Sequence, residues 1–152
     1  MVIRILYGMQ DPLHIVCPHC ARINRVPRDR VGEFPRCGTC KAELFPVHPV
    51  ALDDLHSEAY LTRNQLPVVV DFWAAWCGPC RTMAPVFERV AAELRGQVLF
   101  AKIDTDNAPR AAAQYAIRSI PTLIVLRDGR EKARQSGALP AAELRRFIDV
   151  NC

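Results

Sequence analysis

The sequence predicts an α/β fold, a central mixed β-sheet flanked by helices, preceded by a small cysteine-bearing segment. Three observations carry this. From Leu52 onward, helical and strand-like stretches alternate and then close in a hairpin and a final helix. Six of the seven cysteines form three Cys-x-x-Cys pairs, two of them upstream of the alternating region and one inside it. Between the two regions, Phe-Pro-Val-His-Pro at 45–49 breaks both patterns. The expected division is therefore 1–48 and 49–152.

In the first segment, about 12 residues of extension come first, with Met9 as an alternative start. Strand-like pieces follow at Leu13–Val16, Ile23–Val26 and Leu44–Val47. About 50 residues with so little apolar material want a metal staple rather than a core of their own. In the second segment, Leu52–Arg63 reads as an opening helix with Asp53 or Asp54 in its first turn. Val68–Phe72 is a buried strand, and Arg81–Leu94 a long helix with Val86, Val90 and Leu94 on one face. Val98–Ile103 is the next strand, and Pro109 opens a short helix to about Tyr115. Thr122–Leu126 and Glu131–Ser136 pair around the Asp128-Gly129 turn. Pro140 opens a closing helix that buries Leu144, Phe147 and Ile148.

Composition narrows the function classes. Half the residues are apolar and a quarter charged, an ordinary globular balance. No apolar run approaches the roughly 20 residues of a membrane span, and the N-terminus makes a poor secretory signal. A cytoplasmic location with reduced thiols is the expectation. The formal charge of +4 concentrates in residues 1–50, with seven Lys/Arg against four Asp/Glu. Nucleic acid is not the expected partner, because only Phe34 interleaves with those arginines and no stacking platform results.

The richest stretch is Val68 to Cys80, Val-Val-Val-Asp-Phe-Trp-Ala-Ala-Trp-Cys-Gly-Pro-Cys. A strand delivers two thiols, Cys77 and Cys80, to the start of a helix, whose unpaired N–H groups and dipole favour a thiolate. Asp71 is an acid inside an apolar strand, either a proton carrier with a raised pKa or a core acid paired to a base. A bare Cys-x-x-Cys serves equally as a metal knuckle.

With its flanks, Trp76-Cys77-Gly78-Pro79-Cys80 closely resembles the active site of the thioredoxin family, over about Leu52 to Val150. The resemblance implies a thioredoxin fold and thiol–disulfide exchange. Cys77, nearest the helix N–H groups, is the expected nucleophile, and Cys80, one turn inward, resolves the mixed disulfide. Gly78 permits the turn and Pro79 stiffens it. Gly-Pro between the cysteines resembles the reducing members. Asp71 matches the family acid that exchanges a proton with the second cysteine, and Lys102 matches the neighbouring lysine, with an exposed edge position as the alternative. Ile120-Pro121-Thr122 matches the family's cis-proline loop facing the disulfide. Gly129 suits the hairpin turn, and Gly137 a surface where a partner backbone comes close. Trp73 is expected in the core, and Trp76 exposed on the docking surface with Ile120, Pro121 and Gly137.

Cys17-Pro18-His19-Cys20 and Cys37-Gly38-Thr39-Cys40 are two knuckles at a spacing that fits one Zn²⁺ held by four thiolates. Cys-Pro-His-Cys alone also reads as an oxidant-type dithiol, but the second knuckle and the lack of strand-to-helix context favour zinc. A zinc ribbon ahead of such a domain resembles the zinc-binding, thioredoxin-2 branch, as do Asn24-Arg25-Val26-Pro27 and Arg118-Ser119-Ile120-Pro121. The implied activity is protein-disulfide reduction by a monomer that an NADPH-dependent thioredoxin reductase re-reduces. No Gly-x-Gly-x-x-Gly occurs, so no bound flavin or nicotinamide is expected. The rival readings are a zinc-centred binding module with the domain as scaffold, and a holdase or sensor whose thiolates release metal on oxidation.

Overall fold

The computed structural model describes residues 11–152, so most of the expected N-terminal extension, Met9 included, lies outside the described residues. The chain runs β1 (Leu13–Val16), β2 (Ile23–Val26), a 3-10 helix (Arg28–Glu33), β3 (Val50–Ala51), α1 (Ser57–Arg63) and β4 (Val68–Trp73). It continues through α2 (Gly78–Glu93), β5 (Leu99–Asp104), α3 (Pro109–Gln114), β6 (Thr122–Arg127), β7 (Arg130–Ser136) and α4 (Ala141–Asn151). Two sheets result: the β1-β2 hairpin and a five-stranded sheet in the order β3-β5-β4-β6-β7. β3, β5 and β4 run parallel, whereas β6 pairs antiparallel with both β4 and β7, as expected of a mixed sheet.

β4 and β6 are buried almost throughout, which explains their continuous apolar runs. On one face of the sheet, Val68, Val70, Phe72, Ala101 and Ile103 pack with Tyr60 and Leu61 of α1 and Ala111 of α3. On the other face, Val69, Phe100, Leu123 and Val125 meet Met83, Phe87 and Val90 of α2 and Leu144 and Ile148 of α4. Side chains alternate along a strand, so Asp71 shares the α2 face with Val69.

Several boundaries differ from expectation for identifiable reasons. α2 begins at Gly78, three residues before Arg81, because Pro79 fits the first helical turn and Cys77 caps it. The opening helix begins at Ser57, not Leu52. Val50 and Ala51 are drawn into the sheet beside β5, Leu52 N–H donates to the Lys102 carbonyl, and the Asp53 carboxylate then caps Leu55 and His56. Leu44–Val47 is not a strand. Only Glu43 bridges to Arg36, after which the chain bends and buries Leu44 and Phe45.

That burial shows how the ribbon is stabilised. Leu13, Ile15, Val16, Val26, Leu44 and Phe45 join the same apolar cluster as Tyr60 and Leu61 rather than forming one of their own. The outer edge of β1 is closed by Asn64 and Gln65: Val16 N–H donates to Asn64 Oδ1, and His14 N–H to Gln65 Oε1, both at 2.8 Å. Beyond α2, Arg95 Nε donates to the Phe45 carbonyl at 2.6 Å, and its guanidinium lies 3.8 Å from the Phe34 ring centroid. Among the described residues no helix is long and apolar enough to cross a membrane.

Candidate active site and metal centre

The strand-to-helix junction after β4 builds the redox site. Cys77 is the N-cap of α2, and its Sγ accepts the Cys80 N–H at 3.2 Å, which is the interaction that stabilises a thiolate at a helix start. Cys77 and Cys80 are joined in a disulfide, their Cα atoms 5.2 Å apart. Both are buried in this state, so the expected contrast in exposure between them is small. Cys80 continues the inward stripe of α2 formed by Met83, Phe87 and Val90, and therefore points to the sheet face that carries Asp71.

Asp71 is fully buried, and neither carboxylate oxygen has a hydrogen-bond partner among the described residues. Burial pushes its pKa up to about 7, against the opposing pull of the Lys102 charge. Lys102 stands on β5 opposite Asp71, inside the sheet rather than at an exposed edge. Its Nζ lies 4.5 Å from the centroid of the half-buried Trp73 ring.

Across from the disulfide, the Ile120–Pro121 peptide is cis, as expected, and the Ile120 carbonyl oxygen lies 3.8 Å from Cys77 Sγ. Trp76 is 68% exposed. Together with Thr105, Ala112, Ile117, Arg118, Ser119 and Ile120 it lines a groove of about 340 Å³ beside the disulfide. Gly137, with φ of +91°, has open space where a Cβ would sit, and its N–H donates to the Pro121 carbonyl. Asp106 escaped the sequence reading: its Oδ2 accepts the Trp76 indole N–H at 2.9 Å and fixes the ring at the groove. Thirty residues separate the two, and no local pattern signals the pairing.

Both knuckles converge. The Sγ atoms of Cys17, Cys20, Cys37 and Cys40 all lie within 4.8 Å of one another. Cys17–Cys40 and Cys20–Cys37 are separated by 3.5 and 3.6 Å. Tetrahedral Zn–S bonds of about 2.3 Å place sulfurs slightly under 4 Å apart, so the donor set suits zinc. N–H groups of His19 and Cys20 point at Cys17 Sγ, and that of Thr39 at Cys37 Sγ, as thiolate ligands require. Asn24 adds a link the sequence reading left unassigned: its Nδ2 donates to Cys37 Sγ, and its Oδ1 accepts from Gly38 N–H. Cys152 is a separate, half-buried free thiol against the α2–α4 cluster.

A helix-capped dithiol pair facing a proline loop on this sheet defines a thiol–disulfide oxidoreductase. Comparison with known proteins supplies the family. The thioredoxin profile matches residues 48–150, and the profile for the N-terminal part of thioredoxin 2 matches residues 16–42. The chain is 44% identical over 135 residues to Thioredoxin C-3 of Corynebacterium nephridii, covering 89% of this chain and 92% of that one. Over 98 residues it is 40% identical to a thioredoxin of Haemophilus influenzae, covering 64% of this chain and 92% of that one. A chloroplastic M-type thioredoxin of Zea mays is 39% identical over 145 residues, with 93% and 87% covered. The chain belongs to the thioredoxin family and joins its oxidoreductase domain to a thioredoxin-2 zinc ribbon.

Proposed function

We propose that this protein reduces protein disulfides with Cys77 as nucleophile, Cys80 as resolving thiol and Asp71 as the proton acceptor for Cys80. The observation that carries this reading is the capped Cys77 Sγ, which accepts the Cys80 N–H while facing the Ile120 carbonyl. In the reduced enzyme, the Cys77 thiolate attacks one sulfur of a substrate disulfide. The substrate S–S bond breaks, its other sulfur leaves as a thiolate and takes a proton from water, and Cys77 is left in a mixed disulfide. Asp71 then accepts the Cys80 proton, its pKa raised by burial to about 7 so that it can take up and release a proton near neutrality. The Cys80 thiolate attacks Cys77 Sγ, the second substrate sulfur departs and is protonated, and the Cys77–Cys80 disulfide forms. The substrate gains two electrons from the enzyme and two protons, one from water and the other the Cys80 proton released through Asp71.

Lys102 tunes Asp71 by its charge. Trp76, Gly78, Pro79, Ile120, Pro121 and Gly137 form the docking surface for the substrate backbone. Within residues 1–48, after an extension of about 12 residues, a ribbon holds a single Zn²⁺ through Cys17, Cys20, Cys37 and Cys40, and residues 49–152 act as the redox domain. Bound zinc supplies a structural cross-link between the knuckles. An NADPH-dependent thioredoxin reductase returns the disulfide to the dithiol, and the protein works as a cytoplasmic monomer. Trapping tests the assignment: Cys80→Ser should accumulate a mixed disulfide with substrate at Cys77, resolved by dithiothreitol. An adduct at another cysteine, or none, contradicts it.

A further inference from the structure

Arg134 lies on β7, away from the disulfide, yet it holds the segment that leads into the proline loop. α3 ends at Gln114 with Tyr115 as its C-cap, after which Ala116 adopts φ of +50°, a conformation that L side chains disfavour. The carbonyls of Tyr115 and Ala116 at this turn point to one guanidinium. Arg134 Nη2 donates to Tyr115 O at 2.6 Å, and Nη1 reaches Ala116 O at 3.5 Å. The same guanidinium is fixed by a two-pronged pair with Glu131, Nη2 to Oε1 at 2.7 Å and Nε to Oε2 at 3.1 Å. A cation at a helix C-terminus also offsets the partial negative charge of its free carbonyls.

The chain from this turn runs directly through Ile117, Arg118, Ser119 and Ile120, four of the groove residues. At its far end the loop is tied by Thr122 Oγ1 to the Ser119 carbonyl at 2.6 Å and by β6, where Ile124 pairs with Arg134. Both ends of the loop are thus anchored to the β6–β7 hairpin, one through the backbone ladder and the other through the Arg134 guanidinium. We infer that Arg134 is a positioning residue for substrate docking, holding the groove wall opposite Trp76 while leaving the Cys77–Cys80 chemistry untouched. This inference rests on the reading of that groove as the docking surface.

The test compares a protein disulfide with a small one, using the full-length, zinc-loaded chain. Arg134→Gln should raise KM for insulin about threefold to tenfold with kcat little changed, the factor expected for losing a hydrogen bond to a carbonyl. The rate with 5,5′-dithiobis(2-nitrobenzoate), too small to need the groove, should stay within about twofold of wild type. Arg134→Lys, which keeps the charge but loses the fork, should fall between the two. An unchanged insulin KM in Arg134→Gln, or equal losses on both substrates, would overturn the inference while leaving wild-type reduction intact. If wild type itself reduces no insulin, the parent reading fails instead. Amide exchange at 116–120 provides the independent readout: faster exchange there alone is expected, and unaltered exchange contradicts the clamp.

Discussion

Asp71 and Lys102 occupy paired positions on the parallel strands β4 and β5, yet no ion pair joins them. The ammonium sits over the Trp73 ring, and the carboxylate is left buried and without a hydrogen bond among the described residues. A charge in that position costs free energy unless it is neutralised, which is why the acid holds its proton to about pH 7.

The pH dependence of stability follows with a definite sign. The native acid titrates near 7 and the unfolded one near 4, so between those values the native state binds more protons. This group's contribution to stability therefore falls as pH rises from about 4 to 7 and is constant above. Asp71→Asn should be more stable than wild type at pH 8, by an upper limit on the order of 4 kcal/mol, with the gain vanishing near pH 4. Its insulin-reduction rate should nonetheless drop roughly tenfold to hundredfold. Urea denaturation at the two pH values, beside the assay, checks both halves.

Gly129 combines two constraints. Its φ is +74°, and a Cβ there would lie 2.7 Å from the Thr62 carbonyl oxygen of α1. Backbone strain and collision with backbone add, so Gly129→Ala should cost about 2–4 kcal/mol. Gly32→Ala, where nothing lies within 4 Å, should stay within about 0.5 kcal/mol of wild type. Equal denaturant midpoints for the two variants would refute this account of the turn.

Metal analysis of the purified protein should give one zinc per chain, and Cys37→Ser should lose it. The loss should fall unevenly across the ribbon. The second knuckle is tied through the thiolates and Asn24 to β2, which pairs with β1, whereas β1 is also held from outside the ribbon by Asn64 and Gln65. Hydrogen exchange should therefore accelerate at Ile23–Val26 and Arg36–Glu43 more than at His14 and Val16. Uniform acceleration would argue that the metal alone supports the segment.

Much of this was legible in the sequence where the signal is local. Val68–Cys80 announces a strand, a turn and a capped helix in consecutive residues. Asp128-Gly129 fixes a hairpin. The paired knuckles declare a sulfur cluster. What escaped depends on residues far apart in the chain. Val50–Ala51 is a strand only because β5 lies beside it. Leu44 and Phe45 look like strand residues but serve as apolar plugs between ribbon and domain. The Asp106–Trp76 and Arg134–Tyr115 contacts join elements that no periodicity connects.

In the proposed mechanism, electrons reach substrate through Cys77. Insulin-disulfide reduction, driven by NADPH and a thioredoxin reductase, tests it most directly in wild type and Cys77→Ser. Wild type should sustain turnover and Cys77→Ser should show none above background; equal turnover by both would rule out Cys77 as the nucleophile.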